Sequence, residues 1–218
     1  EQTGVYGESL CYFLHQKGYF CALESPQRVK RAFHHLTKND TVDAKQIAEY
    51  AFRHFDELEQ WQPQEKLLIH LEGLLNTREQ LVEQLTANKN ALLAYKRKVV
   101  QTPKILEVLE QTIETLKIHI QTLEKEIQNH IRQDPHFQQK IKNLKSIPGV
   151  GDLLAYQCLL LSEGFQKPLE ARTLAAHLGI APHEYRSGTS VRRKTRSRRK
   201  GPQIMRKLLH LAARSVVT

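Results

Sequence analysis

The sequence predicts an α/β segment followed by an all-α remainder. Three observations support this. An apolar run, YFCALES (19–25), sits between amphipathic stretches in the first sixty residues. A leucine-rich seam with coiled-coil spacing fills residues 67–127. Short helical stretches joined by Gly, Pro and basic residues make up the last third. A chain of 218 residues is long enough for one or two domains with a sizeable core.

The elements follow in order. Residues 6–17 read as a helix with Leu10, Phe13 and Leu14 on one face, ended by Gly18. YFCALES is the expected strand. Pro26 opens a second short helix, PQRVKRAFHHL, from its first position. A third helix begins in KNDTVDAKQIAEYA (38–51), with Ile47, Ala48, Ala51, Phe52 and Phe55 as its apolar face. One strand cannot make a sheet, so the remaining strands are expected from chain preceding Glu1. The start at Glu1, in mid-pattern and without Met, fits that expectation.

Pro63 marks a change of pattern. Leu67, Leu71, Leu74, Leu81, Leu85, Leu92, Tyr95 and Val99 keep a heptad register, with Arg78 and Asn88 as polar members. After Pro103 the register resumes at Leu106, Leu109, Ile113, Leu116, Ile120, Leu123 and Ile127. Such a seam under-winds helices into a left-handed coiled coil. The simplest arrangement is a long antiparallel hairpin turning near Pro103, its first arm about 38 residues and roughly 57 Å long. Two helices of an ordinary bundle are the other reading. Arg78 and Asn88 would set register or partner choice. Beyond Asp134-Pro135, helices are expected at 137–145, 151–162, 170–178 and 202–214. The domain boundaries are therefore 1–60, 61–142 and 143–218.

Charge is unevenly spread. Residues 1–60 hold seven Lys/Arg against nine Asp/Glu, residues 61–142 twelve against ten, and residues 143–218 fourteen against four. The net charge of +10 thus resides in the last segment, which points to a polyanionic partner. Cys11, Cys21 and Cys158 form neither an even framework nor a CxxC pair. That fits a reducing cytoplasmic setting and argues against structural zinc. No apolar run approaches the roughly 20 residues that span a membrane, and no signal peptide is visible. There is no HExxH, P-loop or GxGxxG.

Three motifs carry possible chemistry. SIPGVGDLLAYQCLLL (146–161) places Gly149 and Gly151 in a tight turn before a helix. Glycines turn backbone N–H groups outward, and a helix start adds partial positive charge, a recipe for gripping phosphate. The stretch looks like a helix-hairpin-helix motif; a plain turn is the alternative, and Asp152 could cap the helix. The second motif is YRSGTSVRRKTRSRRKG (185–201). Its cations are Arg186, Arg192, Arg193, Lys194, Arg196, Arg198, Arg199 and Lys200, with no acid from 186 to 200. Such a run binds nucleic acid by releasing counterions, or is a solvated segment. A serine among arginines has a further meaning, since its hydroxyl can attack a phosphodiester while guanidinium groups stabilise the transition state. The third motif is the pair Asp40 and Asp43. Asp at an N-cap with an acid three residues on reads as a capping box. Two carboxylates on one helix face also suit Mg²⁺. On spacing alone capping is the better reading.

Taken together these blocks resemble the DEDD transposase family of bacterial insertion sequences, the one-ten/eleven-eleven type, also called bridge-RNA-guided recombinases. Residues 1–51 look like the second half of its RuvC-like, RNase H-fold domain. LKSIPGVGDLLAYQCLL and LAAHLGIAPHEYRSGTSVRRKTRSRRKGPQIMRKLLHLAA look like its C-terminal transposase domain, with Gly-Ile-x-Pro, Ser-Gly, Lys-Gly and Leu-x-x-Ala-Ala landmarks. A coiled coil between them also matches.

The resemblance implies roles residue by residue. Glu1 matches the family's glutamate, and Asp40 and Asp43 its last two aspartates; all three would be catalytic and hold Mg²⁺. The first aspartate has no counterpart in this sequence. Ser187, in the Ser-Gly pair, matches the serine nucleophile, whereas Ser190 and Ser197 do not match the landmark. The implied activity is a DNA transposase or recombinase that works through a covalent phosphoserine linkage. It would be guided by an RNA and would act as a dimer or tetramer joined through the coiled coil. A noncatalytic nucleic-acid-binding scaffold and a metal-dependent junction nuclease are the rival classes.

Overall fold

The structure is a computed structural model, and it describes residues 5–33, 39–166, 170–187, 191–197 and 201–217. The chain divides into two compact units, Glu1–Gln64 and Glu65–Thr218. Both are mostly helical.

The first unit holds α1 (Val5–Gln16), α2 (Pro26–Ala32), α3 (Asp40–Arg53) and a 3-10 turn at Phe55–Glu57. Two backbone bonds close α1 beyond its last turn, from Gly18 to His15 and from Tyr19 to Leu14. The expected strand 19–25 is not one. Among the described residues this unit has no strand, so the run has no ladder to join and carries no regular secondary structure. It is tied down elsewhere. The Trp61 N–H donates to the Cys21 carbonyl at 2.6 Å, and the Trp61 ring packs edge-on against Tyr12 at 5.2 Å. Glu24 accepts from its neighbour Ser25 N–H, from Arg28 and from the Tyr50 hydroxyl of α3. The apolar face expected on α3 also shifts. Tyr50 is its buried residue, while Phe52 is 86% exposed.

Cys11 is buried, and Cys21 brings its sulfur within 3.9 Å of the Cys11 sulfur. Burial, and then the neighbouring Cys11 thiol, push the Cys21 thiol above the ordinary thiol range. A disulfide exchanger such as oxidised glutathione should therefore join the two only slowly near neutrality. The rate should rise as pH climbs past that range, because the thiolate is the nucleophile. Mass spectrometry after alkylation should show the loss of two hydrogens on the Cys11–Cys21 peptides; unlinked thiols at high pH would refute the pairing.

The second unit is built on two long helices, α4 (Lys66–Lys96) and α5 (Pro103–Arg132). His130 contacts the Leu67 carbonyl at 2.8 Å, Arg78 donates to Glu124 at 2.7 Å, and Lys96 pairs with Glu110 at 2.8 Å. Those partners run in opposite order, so the helices are antiparallel. Proline at its first turn starts α5, where the missing N–H costs nothing. The first arm, at 31 residues, is shorter than expected and roughly 46 Å long. It stops at Lys96, and Val99 lies beyond it, fully exposed. The apolar seam positions within the two helices are otherwise buried or half-buried. Of the two polar seam residues, Arg78 spans to the partner helix, whereas the Asn88 side chain bonds back to Gln84 on its own helix.

Two shorter helices pack on the base of this hairpin, α6 (Pro135–Lys145) and α7 (Asp152–Leu161); α9 (Gln203–Val217) packs in turn on α7, and α8 (Ala171–His177) comes before the basic stretch. Asp134 caps α6, its side chain accepting from the His136 and Phe137 N–H groups. Leu68, Leu71, Leu75, Ile127, Ile131, Phe137, Ile141 and Leu159 form one core cluster. The hairpin base and the following helices therefore share a core. Each fully buried leucine in it stabilises the unit by about 1.5–3 kcal/mol. A second cluster of Leu154, Leu178 and Met205 seats α9.

The basic stretch holds two strands that the sequence did not foretell. β1 (Pro182–Ser187) pairs antiparallel with β2 (Val191–Ser197), and Ser187 stands opposite Val191. An irregularity between His183 and Tyr185 shifts the register. Among the described residues no helix is long and apolar enough to cross a membrane.

Candidate functional site

The helix carrying Asp40 and Asp43 is capped by neither of them. Asn39 has the extended backbone of a cap residue, and its side-chain oxygen accepts from the Val42 N–H at 2.8 Å. Its carbonyl accepts from the Asp43 N–H at 2.9 Å. Asp40 is thus the first helical residue and Asp43 the fourth, which corrects the capping-box reading. Asn outranks Asp little or not at all as a cap, so local sequence alone could not choose between neighbours. Asp40 is exposed and Asp43 half-buried. Among the described residues neither carboxylate has a hydrogen-bond or ion-pair partner other than the favourable field of the helix start. At spacing i, i+3 their Cβ atoms lie about 5–6 Å apart on one face. Carboxylate oxygens are the donor type a hard divalent cation takes, but among the described residues no group of three or more His, Cys, Asp or Glu is gathered to hold a metal ion. Glu1 lies outside the described residues.

The Pro-Gly turn has a clear physical basis. The Val150 N–H donates to the Ile147 carbonyl at 3.1 Å, and Gly149 takes φ +82°. Proline second and a positive-φ glycine third make the pattern of a type II turn. A Cβ on Gly149 would stand 2.6 Å from the Ala212 carbonyl of α9 and 2.9 Å from the Ser215 hydroxyl. Close packing on α9 therefore accounts for this glycine without a ligand. Gly151 is different: it opens α7 as N-cap, with open space around it. Asp152, at the first helical position, pairs with Lys145 at 2.5 Å.

Ser187 ends β1, and Arg186, Arg192, Arg193, Lys194 and Arg196 belong to the same two-stranded ribbon. The backbone pairs Arg186 with Arg192 and Tyr185 with Arg193, which gathers the cations on one short ladder. Arg198, Arg199 and Lys200 lie outside the described residues, as does Ser190.

Two family models match this chain in succession. A transposase model of the DEDD, IS110 type covers residues 1–99, and one described as Transposase IS116/IS110/IS902 family covers residues 141–218. Together the two models cover most of the chain, which belongs to the transposase families, and within them to the IS110 type. It is 26% identical to a pilin gene-inverting protein of Moraxella lacunata over 98% of this chain and 65% of that protein. The pilin gene-inverting protein of Moraxella bovis matches to the same extent. A probable family 20 transposase of Pseudomonas aeruginosa is 31% identical over 52% of this chain and 32% of its own length. The chain spans about two thirds of the length of the two pilin gene-inverting proteins.

Proposed function

We propose that this chain cuts and rejoins DNA through a serine nucleophile assisted by Mg²⁺. The observation that carries this reading is the Asn39 cap, which leaves Asp40 and Asp43 with no side-chain partner among the described residues at the start of α3. Together with Glu1 they would hold the metal, in what we read as part of a RuvC-like, RNase H-fold domain. Bound there, Mg²⁺ supplies positive charge that offsets the developing negative charge of a phosphate under attack.

Ser187 is the nucleophile in this reading. A bond forms between its Oγ and phosphorus, and one P–O bond of the strand breaks. The serine proton ends on the departing sugar oxygen, leaving a phosphoserine ester and a free DNA hydroxyl. Attack by another strand's hydroxyl reverses these changes and joins new ends. The cations of the β1–β2 ribbon neutralise the DNA backbone. The α4–α5 hairpin serves as a coiled coil joining copies into a dimer or tetramer, and a guide RNA selects the sequences. Inversion of a pilin gene by the Moraxella relatives is a rearrangement of the same class.

The test is covalent trapping. Full-length natural protein incubated with a labelled DNA substrate and Mg²⁺ should yield a denaturant-resistant protein–DNA adduct. Ser187→Ala should abolish it and Ser190→Ala should keep it. An adduct that persists in Ser187→Ala would sink the assignment, and cleavage without any adduct would favour the junction nuclease.

A further inference from the structure

We propose that a cleft of the second unit, lined by Arg132, Lys142 and Lys145, binds the phosphodiester backbone of a nucleic acid. This site is separate from the β1–β2 ribbon. The inference rests on the reading above that the chain acts on nucleic acid.

The cleft has a volume of about 670 Å³, and it lies where the end of α5, the length of α6 and the start of α7 meet. Ile131, Ile141 and Tyr156 form its apolar floor, and Gln138 and Ser146 add polar groups at its wall. Its charge is unbalanced. Lys145 pairs with Asp152, but among the described residues no carboxylate reaches Arg132 or Lys142. Three cations therefore face one acid. Both uncompensated cations are exposed, so water screens them at little cost and no structural role requires them.

The shape favours a backbone over a small anion. A second hollow of about 530 Å³ adjoins the cleft, sharing Gln128, Asp152 and Tyr156, and runs past Gly151 towards α9. The continuation carries Asp152 and Glu124, the latter engaged by Arg78 at 2.7 Å, so the phosphates of a strand would meet the cations of the first hollow while its sugars lie over the apolar surface of both. Arg presents a planar fork to a phosphate, and Lys a point charge. The first turn of α7, with Gly151 in open space, borders the same hollow. Gly149 lines this hollow as well, and its positive-φ turn, packed on α9, positions the helix start.

Binding of the complete chain to a DNA duplex and to an RNA of equal length, without Mg²⁺ and on a Ser187→Ala background, tests the proposal. The double variant Arg132→Ala/Lys142→Ala should bind about 10–100-fold more weakly near physiological salt. Its slope of log affinity against log salt should fall by about two with at least one probe. Arg132→Lys/Lys142→Arg should restore the slope. Lys89→Ala/Lys125→Ala, which removes the same charge outside the cleft, should leave it unchanged. A slope unaltered by the Arg132/Lys142 double variant with both probes overturns the cleft while leaving the broader reading intact. Absence of salt-dependent binding by the parent chain overturns both.

Discussion

Gly149→Ala should destabilise the second unit by about 2–5 kcal/mol. Two independent costs are combined. An alanine at φ +82° pays about 1–2 kcal/mol for a left-handed backbone. Its Cβ would also stand 2.6 Å from the Ala212 carbonyl, which is backbone of α9 and cannot swing aside like a side chain. Overpacking of that kind adds about 1–3 kcal/mol. The consequence is a displaced α9 and a loosened cluster of Leu154, Leu178 and Met205. Thermal unfolding should shift down by roughly 5–15 °C for a unit of this size. Gly73→Ala is the opposite control. Gly73 lies inside α4 with nothing near its missing Cβ, so alanine there should stabilise by about 0.5–1 kcal/mol. If Gly149→Ala unfolded like the parent while losing nucleic-acid affinity, the glycine would be a ligand contact and not a packing requirement.

The comparison of Gly149 with Gly151 shows where sequence reasoning reached its limit. Both glycines stand in one tight turn, and local chemistry assigns both to phosphate. Only the tertiary fold brings α9 against the first of them. The apolar periodicity of the two long helices was legible because it is local, but its register was only partly so: the buried leucines of α4 are Leu68, Leu71 and Leu75, of which only Leu71 belongs to the expected seam, while Leu67 and Leu74 are half-buried. The end of the first arm was not legible, because the leucine pattern runs on to Val99 beyond Lys96. Strand 19–25 failed for a different reason. Its apolar, partly aromatic composition suits a strand, yet a strand exists only with a partner, and composition does not supply one. The converse error occurred at 182–197. Nothing in the composition of either arginine-rich segment marks a strand, so the ribbon arises from the pairing of β1 with β2 and not from either strand alone. Arg132 and Lys142 were invisible as a pair, since ten residues and a helix break separate them in sequence.

The second large effect separates two roles that the sequence could not. Asp43→Asn should lower Mg²⁺-dependent adduct formation by about 10²–10³-fold in the full-length protein. That is the loss expected when several kcal/mol of charge stabilisation are withdrawn from a transition state. Its effect on the stability of the first unit should stay within about 1 kcal/mol, because only the interaction with the helix start is lost. Asn39→Ala should show the reverse pattern. It removes the side-chain oxygen that accepts from the Val42 N–H and should cost about 1 kcal/mol. Adduct formation by the folded fraction should keep its dependence on Mg²⁺ concentration. Stability is read by thermal unfolding and chemistry by the yield of trapped adduct across a Mg²⁺ titration. The two readouts need not move together, because cap and carboxylates are different side chains on the same turn. Equal loss of stability in both variants, with adduct yield following it, would return Asp43 to a structural role and remove the metal from this helix.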